Sequence, residues 1–260
     1  MNTLNNRIDN YLQQENFGKD CKIWNPWIGC KKISEGCENC YVLPHNVFHG
    51  DYQPFAYTDA PFGTVVTVSL RSDFFLKAAD YMRTLVWQEI KKHPNLIFLI
   101  ITKRASRIKK CLPPDWGDGY ENVILCVTAE NQKRADERLP ILLDIPAKHK
   151  WVTCSPLLEK IDLTSYLSKH QIELVETTGE RDCKKKARPT KYEWSESLSD
   201  QCKQYDTRFS QLYLGHNFIM PDGTIKRDWT GWYGSKAADD LNLSYYKPIT
   251  FKLQDKTITF

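Results

Sequence analysis

Short apolar runs alternate with amphipathic stretches along most of the chain, and the period of each run sets the element it predicts. "GTVVTVSL", Gly63 to Leu70, is rich in β-branched residues and predicts a strand. In the "DFFLKAADYMRTLVWQEIKKHP" that follows, Phe75, Ala79, Met82 and Val86 recur at spacings of three and four, the period of a helix with one buried face, and Pro94 closes it. "NLIFLIITKR" is almost continuously apolar, as a strand covered on both faces requires; "ASRIKKCL" follows it before "PPDWGDG" breaks the chain. "NVILCVTAEN" and "QKRADERLPILLDIPA" repeat the pattern. "KHKWVTCSPLL" and "QIELVETTGERD" add two strands, and "YEWSESLSDQCKQY" a further helix. With "CKIWNPWI" near the start, the count reaches about six strands. Strands alternating with helices mean parallel β/α units, so the expected fold is α/β, a partial (β/α)6 TIM-type barrel.

The pattern changes after Gly215. "NFIMPDGTIKRDW" places a Pro-Asp-Gly turn between apolar runs and "PITFKLQDKTITF" alternates around "QDK", which predicts a small C-terminal β-hairpin extension. The expected organisation is an N-terminal extension over 1–20, the barrel over 21–215 and a β/aromatic appendage over 216–260 that covers the barrel mouth or flank. Trp229, Trp232 and Tyr233 in that appendage have two readings: they close the open side of an incomplete barrel, or they stack on a base.

In barrels of parallel strands the chemistry sits at the carboxyl ends of the strands. Polar residues recur there: Ser69, Arg71 and Asp73; Thr102 and Lys103; Thr128, Glu130 and Asn131; Cys154 and Ser155; Thr178, Glu180 and Arg181. Any single one is also an ordinary turn or helix-capping residue. Their recurrence at five strand ends is what marks this rim.

Composition narrows the class only a little. The 260 residues are 41% hydrophobic and 26% charged with a net charge of +4, a globular composition that permits an anionic partner without demanding one. No run of about 18 apolar residues occurs and the polar start lacks the order of a secretory signal, so a cytoplasmic protein without a membrane partner is expected. The nine cysteines are odd in number and six are scattered, which suits reduced thiols better than a disulfide framework. The other three, Cys30, Cys37 and Cys40, fall within "WNPWIGCKKISEGCENCYV". A structural zinc site wants four ligands, and no second Cys-x2-Cys occurs; Cys21, His45 or His49 would have to complete it. A [4Fe-4S] cluster held by three thiolates, its fourth iron open to an exogenous ligand, accounts for the number directly.

The loop and its downstream segments carry a resemblance. "WNPWIGCKKISEGCENCY", "SLRSDFF", "FLIITKR", "NVILCVTAENQKRADERLPILLDIPA", "SPLL", "GERDCKKKARP" and "SESLSDQC" together resemble the phage-associated three-cysteine-motif proteins, a branch of the radical S-adenosylmethionine superfamily, over roughly Trp24 to Gly215. The cysteine loop alone is more weakly similar to spore-photoproduct-lyase-like proteins. The chain departs from the usual C-x3-C-x2-C spacing by three residues and has Ser155 where the branch has a glutamate. The resemblance implies an enzyme that uses a [4Fe-4S] cluster on Cys30, Cys37 and Cys40 and an external electron donor to cleave S-adenosylmethionine reductively, giving a 5′-deoxyadenosyl radical that abstracts hydrogen from a substrate. It implies Ser69, Asp73, Thr102, Lys103, Glu130, Asn131 and Glu180 as S-adenosylmethionine contacts, Tyr41 as a surface for the adenine, and Cys154 as a donor of a hydrogen atom; Cys126, by its alternation within a strand, reads as a small core residue. A substrate that is a nucleic acid or nucleotide is expected from the phage association and from "RDCKKKARPTK", with six positive charges against one negative. The alternative from a different class is a zinc-stabilised nucleic-acid-binding module without catalysis.

Overall fold

The computed structural model describes residues 21–40, 42, 48–181, 186–228 and 236–260. Seven strands form one sheet: β1 (Lys22–Trp24), β2 (Val65–Val68), β3 (Ile97–Thr102), β4 (Val123–Thr128), β5 (His149–Cys154), β6 (Leu174–Thr178) and, beyond the two-residue β7 (Thr190–Lys191), β8 (Arg208–Tyr213). They lie in the order β1-β2-β3-β4-β5-β6-β8 and every neighbouring pair is parallel. Helices α1 (Asp80–Lys92), α2 (Ile108–Cys111), α3 (Gln132–Asp144), α4 (Thr164–Leu167) and α5 (Tyr192–Gln204) fall in the crossovers, and α6 (Lys236–Asp239) follows the sheet.

This corrects the expected fold. The sheet is a curled, half-barrel parallel sheet of seven strands and not a clear (β/α)6 TIM barrel. The strand missing from the sequence reading is β8, "RFSQLY". It lies at the sheet edge with half-buried Arg208 and Ser210 on alternate positions, so it lacks the apolar continuity by which the central strands are recognised.

The central strands behave as the apolar runs require. All six residues of β4 and of β5 are buried. Successive residues feed two different cores. Phe98, Ile100, Val123, Leu125, Val127, Val152 and Val175 meet the buried faces of the helices, to which α1 brings Met82, Val86, Trp87 and Ile90. Ile97, Leu99, Ile124, Cys126, Trp151 and Leu174 point the other way, into a smaller core closed by Ile249, Phe251 and Leu253. Those last residues belong to the hairpin of β11 (Thr250–Leu253) and β12 (Lys256–Thr259). The other predicted hairpin, β9 (Gly215–Ile219) with β10 (Ile225–Asp228), turns through Pro221, Asp222 and Gly223 and adds β7 as a third strand. Because the residues under β11 and β12 lie toward the amino-terminal halves of β2 to β6, this hairpin seals the end opposite the strand carboxyl termini. Among the described residues no helix is long and apolar enough to cross a membrane.

Candidate functional site

Counting by twos along the face of the sheet that holds Leu99, Cys126 and Trp151, and continuing past the strand ends, gives Ser69, Lys103, Glu130, Ser155 and Glu180. The period-two geometry of a strand carries these residues to one rim. A cleft of about 210 Å³ opens there, walled below by Ile101, Thr128 and Thr153. The cysteine loop forms its other wall. After β1 the chain turns at Gly29, whose φ of +98° suits glycine and whose N–H donates to the Arg71 carbonyl at 3.1 Å, while Ser72 Oγ donates to the Gly29 carbonyl. A short 3-10 turn, Glu35–Cys37, then brings the chain back, and Cys30, Cys37 and Cys40 all line the cleft, Cys37 buried and the other two half-buried. Burial pushes the Cys30 thiol up, Asp73 adds to this, and Arg104 opposes it.

The sequence-derived contacts divide into three groups. Ser69 and Lys103 face the cleft with polar atoms available to a ligand. Ser69 is 2% exposed, holds a φ of +62°, and its Oγ has no hydrogen-bond partner. A buried hydroxyl in that state costs free energy unless something fills the space beside it. Lys103 lines the cleft with Nζ 3.3 Å from the Ser155 carbonyl oxygen.

Asp73 and Thr102 also line the cleft, but their polar atoms are spent on each other. Asp73 accepts from the Phe75 N–H at 2.9 Å, from Thr102 Oγ1 at 2.8 Å and from the Lys103 N–H at 3.0 Å, which ties the loop after β2 to the end of β3. Thr102 Oγ1 in turn accepts from the Arg104 N–H.

Glu130, Asn131 and Glu180 hold the cysteine loop. Glu130 is fully buried, bonds Arg138 at 2.7 Å on one side and accepts from Ser34 Oγ on the other. Gly36 lies so close that an added Cβ would sit 2.9 Å from Glu130 Oε1. Burial alone would raise the Glu130 pKa; Lys103, Arg138 and Ser34 outweigh it and hold the carboxyl below its ordinary value. Asn131 caps α3 by accepting from the Arg134 N–H at 2.9 Å, and Arg134 pairs with Glu35 of the cysteine loop. Glu180 accepts from Asn39 Nδ2 at 2.9 Å and is gripped by the Arg188 backbone and guanidinium, which also reaches Glu38 at 3.2 Å. Here too burial opposes ionisation, and Arg188 with Asn39 keeps the carboxyl below its ordinary value.

Cys154 is absent from the cleft wall. It is wholly buried in the core between sheet and helices, on the opposite parity from Thr153 and Ser155, and burial pushes its thiol pKa far up. Cys126 is a core residue facing the C-terminal hairpin. Tyr41, His45, Lys184, Lys185, Trp229, Trp232 and Tyr233 lie outside the described residues, as does the extension over 1–20. Of the basic loop, Lys186 is exposed at the cleft side, its carbonyl accepting from Asn39 Nδ2 at 3.2 Å. Sequence reasoning missed Ser34, Asn39 and Arg138, and it grouped Arg188 with the basic loop as a phosphate contact. Nothing in the spacing of Ser34 and Asn39 marks them, because their partners stand across the rim after β4 and β6; Arg138 and Arg188 each pair with a glutamate eight residues before them, a spacing that by itself signals nothing. It also missed the guanidinium of Arg181 lying 3.8 Å from the Tyr213 ring centroid in the cleft wall.

Among the described residues no group of three or more His, Cys, Asp or Glu side chains converges to hold a single metal ion. Of the fourth-ligand candidates for zinc, Cys21 is buried in the core under the C-terminal hairpin and His49 pairs through its backbone with Ile28.

The fold and site define a mixed α/β protein with a thiol-walled cleft at the carboxyl ends of a curled parallel sheet. The chain belongs to the family described as "Protein of unknown function (DUF5131)", whose model matches residues 49–226, more than half of its 260 residues. This corrects the resemblance to phage-associated three-cysteine-motif proteins: the match is to this family alone, begins after the cysteine loop, and carries no link to radical S-adenosylmethionine proteins. No curated protein and no solved structure matches the chain.

Proposed function

We propose that the protein is an iron–sulfur enzyme in which Cys30, Cys37 and Cys40 hold a [4Fe-4S] cluster and the cleft binds S-adenosylmethionine beside it. Such a cluster, reduced by an external electron donor, supplies reductive cleavage of S-adenosylmethionine and hence a 5′-deoxyadenosyl radical for hydrogen abstraction. The observation that supports this reading is that, of the eight described cysteines, only the three of one loop wall the cleft. The other wall then has a definite role. Ser69 offers a buried hydroxyl, Lys103 and Arg104 supply positive charge suited to a carboxylate or phosphate, and Val68, Ile33 and Ile101 keep water from the reacting carbon. Charge at the cleft favours an anionic substrate: Arg104 stands 3.7 Å from Asp73 and Arg188 pairs with Glu180, which leaves Lys31, Lys103 and Arg181 as the excess charge of the lining; a nucleotide or nucleic acid meets that requirement.

Anaerobic reconstitution with iron and sulfide tests the reading. It should give a brown protein with about four irons per chain, lost on changing Cys30, Cys37 or Cys40 singly to Ala and kept in Cys126→Ala. Reductant with S-adenosylmethionine should then yield 5′-deoxyadenosine. A colourless protein with one stoichiometric zinc overturns the proposal in favour of a binding module.

A further inference from the structure

The six residues between Cys30 and Cys37 make a span long enough to cross the rim and reach one buried carboxylate, and the two residues between Cys37 and Cys40 reach a second. Ser34 donates to Glu130 at the end of β4, and Asn39, the residue before Cys40, donates to Glu180 at 2.9 Å beyond the end of β6. Each carboxylate is backed by an arginine, Arg138 or Arg188, that substitutions at Ser34 and Asn39 leave in place; Arg188 also reaches Glu38 of the loop at 3.2 Å. Gly36, against Glu130, removes the side chain that would push the two apart.

We infer that Glu130 and Glu180 are positioning residues, a two-point clamp that shapes the three-thiol loop before any metal group arrives. The inference rests on the cluster reading for what the loop is held for, though the clamp itself is a property of the metal-free chain. A loop of this length left free would have to be ordered at the moment of binding; one already pinned on both sides of Cys37 spends less of the binding free energy on ordering. Glu130 does not line the cleft; Glu180 does, with both its oxygens taken up by Asn39 and Arg188.

The test acts on the loop side, where the buried Glu130–Arg138 and Glu180–Arg188 pairs are left intact. Ser34→Ala combined with Asn39→Ala should keep the melting temperature close to that of the parent. In the metal-free protein, amide hydrogen exchange over 31–39 should quicken by about tenfold or more while β3 to β5 are unchanged. In the reconstituted protein, iron should be lost to a chelator faster by a similar factor, and Asn39→Ala with Ser34→Thr, which keeps the hydroxyl, should recover part of the slow loss. Unchanged exchange over 31–39 in the double variant overturns the clamp, whatever the iron content. If the parent chain takes up no iron, the cluster reading falls alone and the exchange result still decides the clamp.

Discussion

At Ser69 the backbone holds a φ of +62°, a conformation that costs a non-glycine residue about 1 kcal/mol. Ser69→Gly should therefore raise unfolding stability by about 0.5 to 1 kcal/mol in a denaturant titration, because the bonds to Trp24 and Ser72 are made by the backbone alone. The same change removes the hydroxyl aimed into the cleft, so S-adenosylmethionine affinity by calorimetry should fall. A gain in stability with unchanged affinity would mean that Ser69 has no part in binding. Glu176 sets a second expectation. It is 3% exposed on the inner face of β6, and burial, opposed by Arg208, raises its pKa from 4.5 to about 7. The folded chain then keeps a proton that the unfolded chain releases, so the contribution of Glu176 to stability is fully present below pH 4.5 and falls by about 3 kcal/mol as pH rises to 7. Glu176→Gln should flatten that part of the pH–stability curve and be the more stable protein at pH 8. Single residues were legible in the sequence where a strand's period carries them to the rim, as at Ser69, Lys103 and Glu180. That period gave their place and not their role where the role depends on a partner across the rim, which is why Glu130 and Glu180 read alike as ligand contacts while their oxygens are bonded to Ser34 and Asn39 of the cysteine loop.

Elements show the same division. The central strands declare themselves because β3 and β4 are covered on both faces and are almost wholly apolar, while β5, equally buried, keeps a shorter apolar signal around Trp151 and Val152. The edge strand β8 has no such obligation, and β7 has two residues. Both C-terminal hairpins could be read from their turns, but alternation says only which side of a hairpin is apolar and not where that side docks. Its place is set by the inner face of the sheet, where Phe251 stacks 4.0 Å from the His149 ring and seals the amino-terminal end. Phe251→Ala should cost about 3 to 5 kcal/mol in denaturant unfolding, as for other buried aromatic truncations. Iron content after reconstitution should not change, since the hairpin and the cysteine loop lie at opposite ends of the sheet. Loss of iron in a still-folded Phe251→Ala protein would show that the two ends are coupled.

On the scale of the molecule, one end of the sheet is sealed by apolar side chains and the other is polar and bordered by cations, so a large anionic partner has one direction of approach. The net charge of +4 alone does not say where it would dock. Arg188, which the sequence groups with the basic loop, is committed to Glu180 and Glu38, and its removal would disturb the cysteine loop before it changed any phosphate contact. Among the described residues, Lys31 lines the cleft and Lys32 and Lys186 are exposed cations beside its lining residues Lys31 and Asn39. If single-stranded nucleic acid is the substrate, its affinity, followed by fluorescence anisotropy of a labelled oligonucleotide, should fall with rising salt. Each phosphate neutralised contributes about 0.7 to the slope of log affinity against log salt, so replacing these three lysines by Ala should flatten it by about 2 units. Iron content should be unchanged, because the clamp bonds run from Ser34 and Asn39 to Glu130 and Glu180 and these substitutions leave all four residues in place. An unchanged slope would exclude this rim as the phosphate track and make a peptide or a small anionic metabolite the better substrate class for a cleft whose inner cations, Lys103 and Arg104, would still call for negative charge.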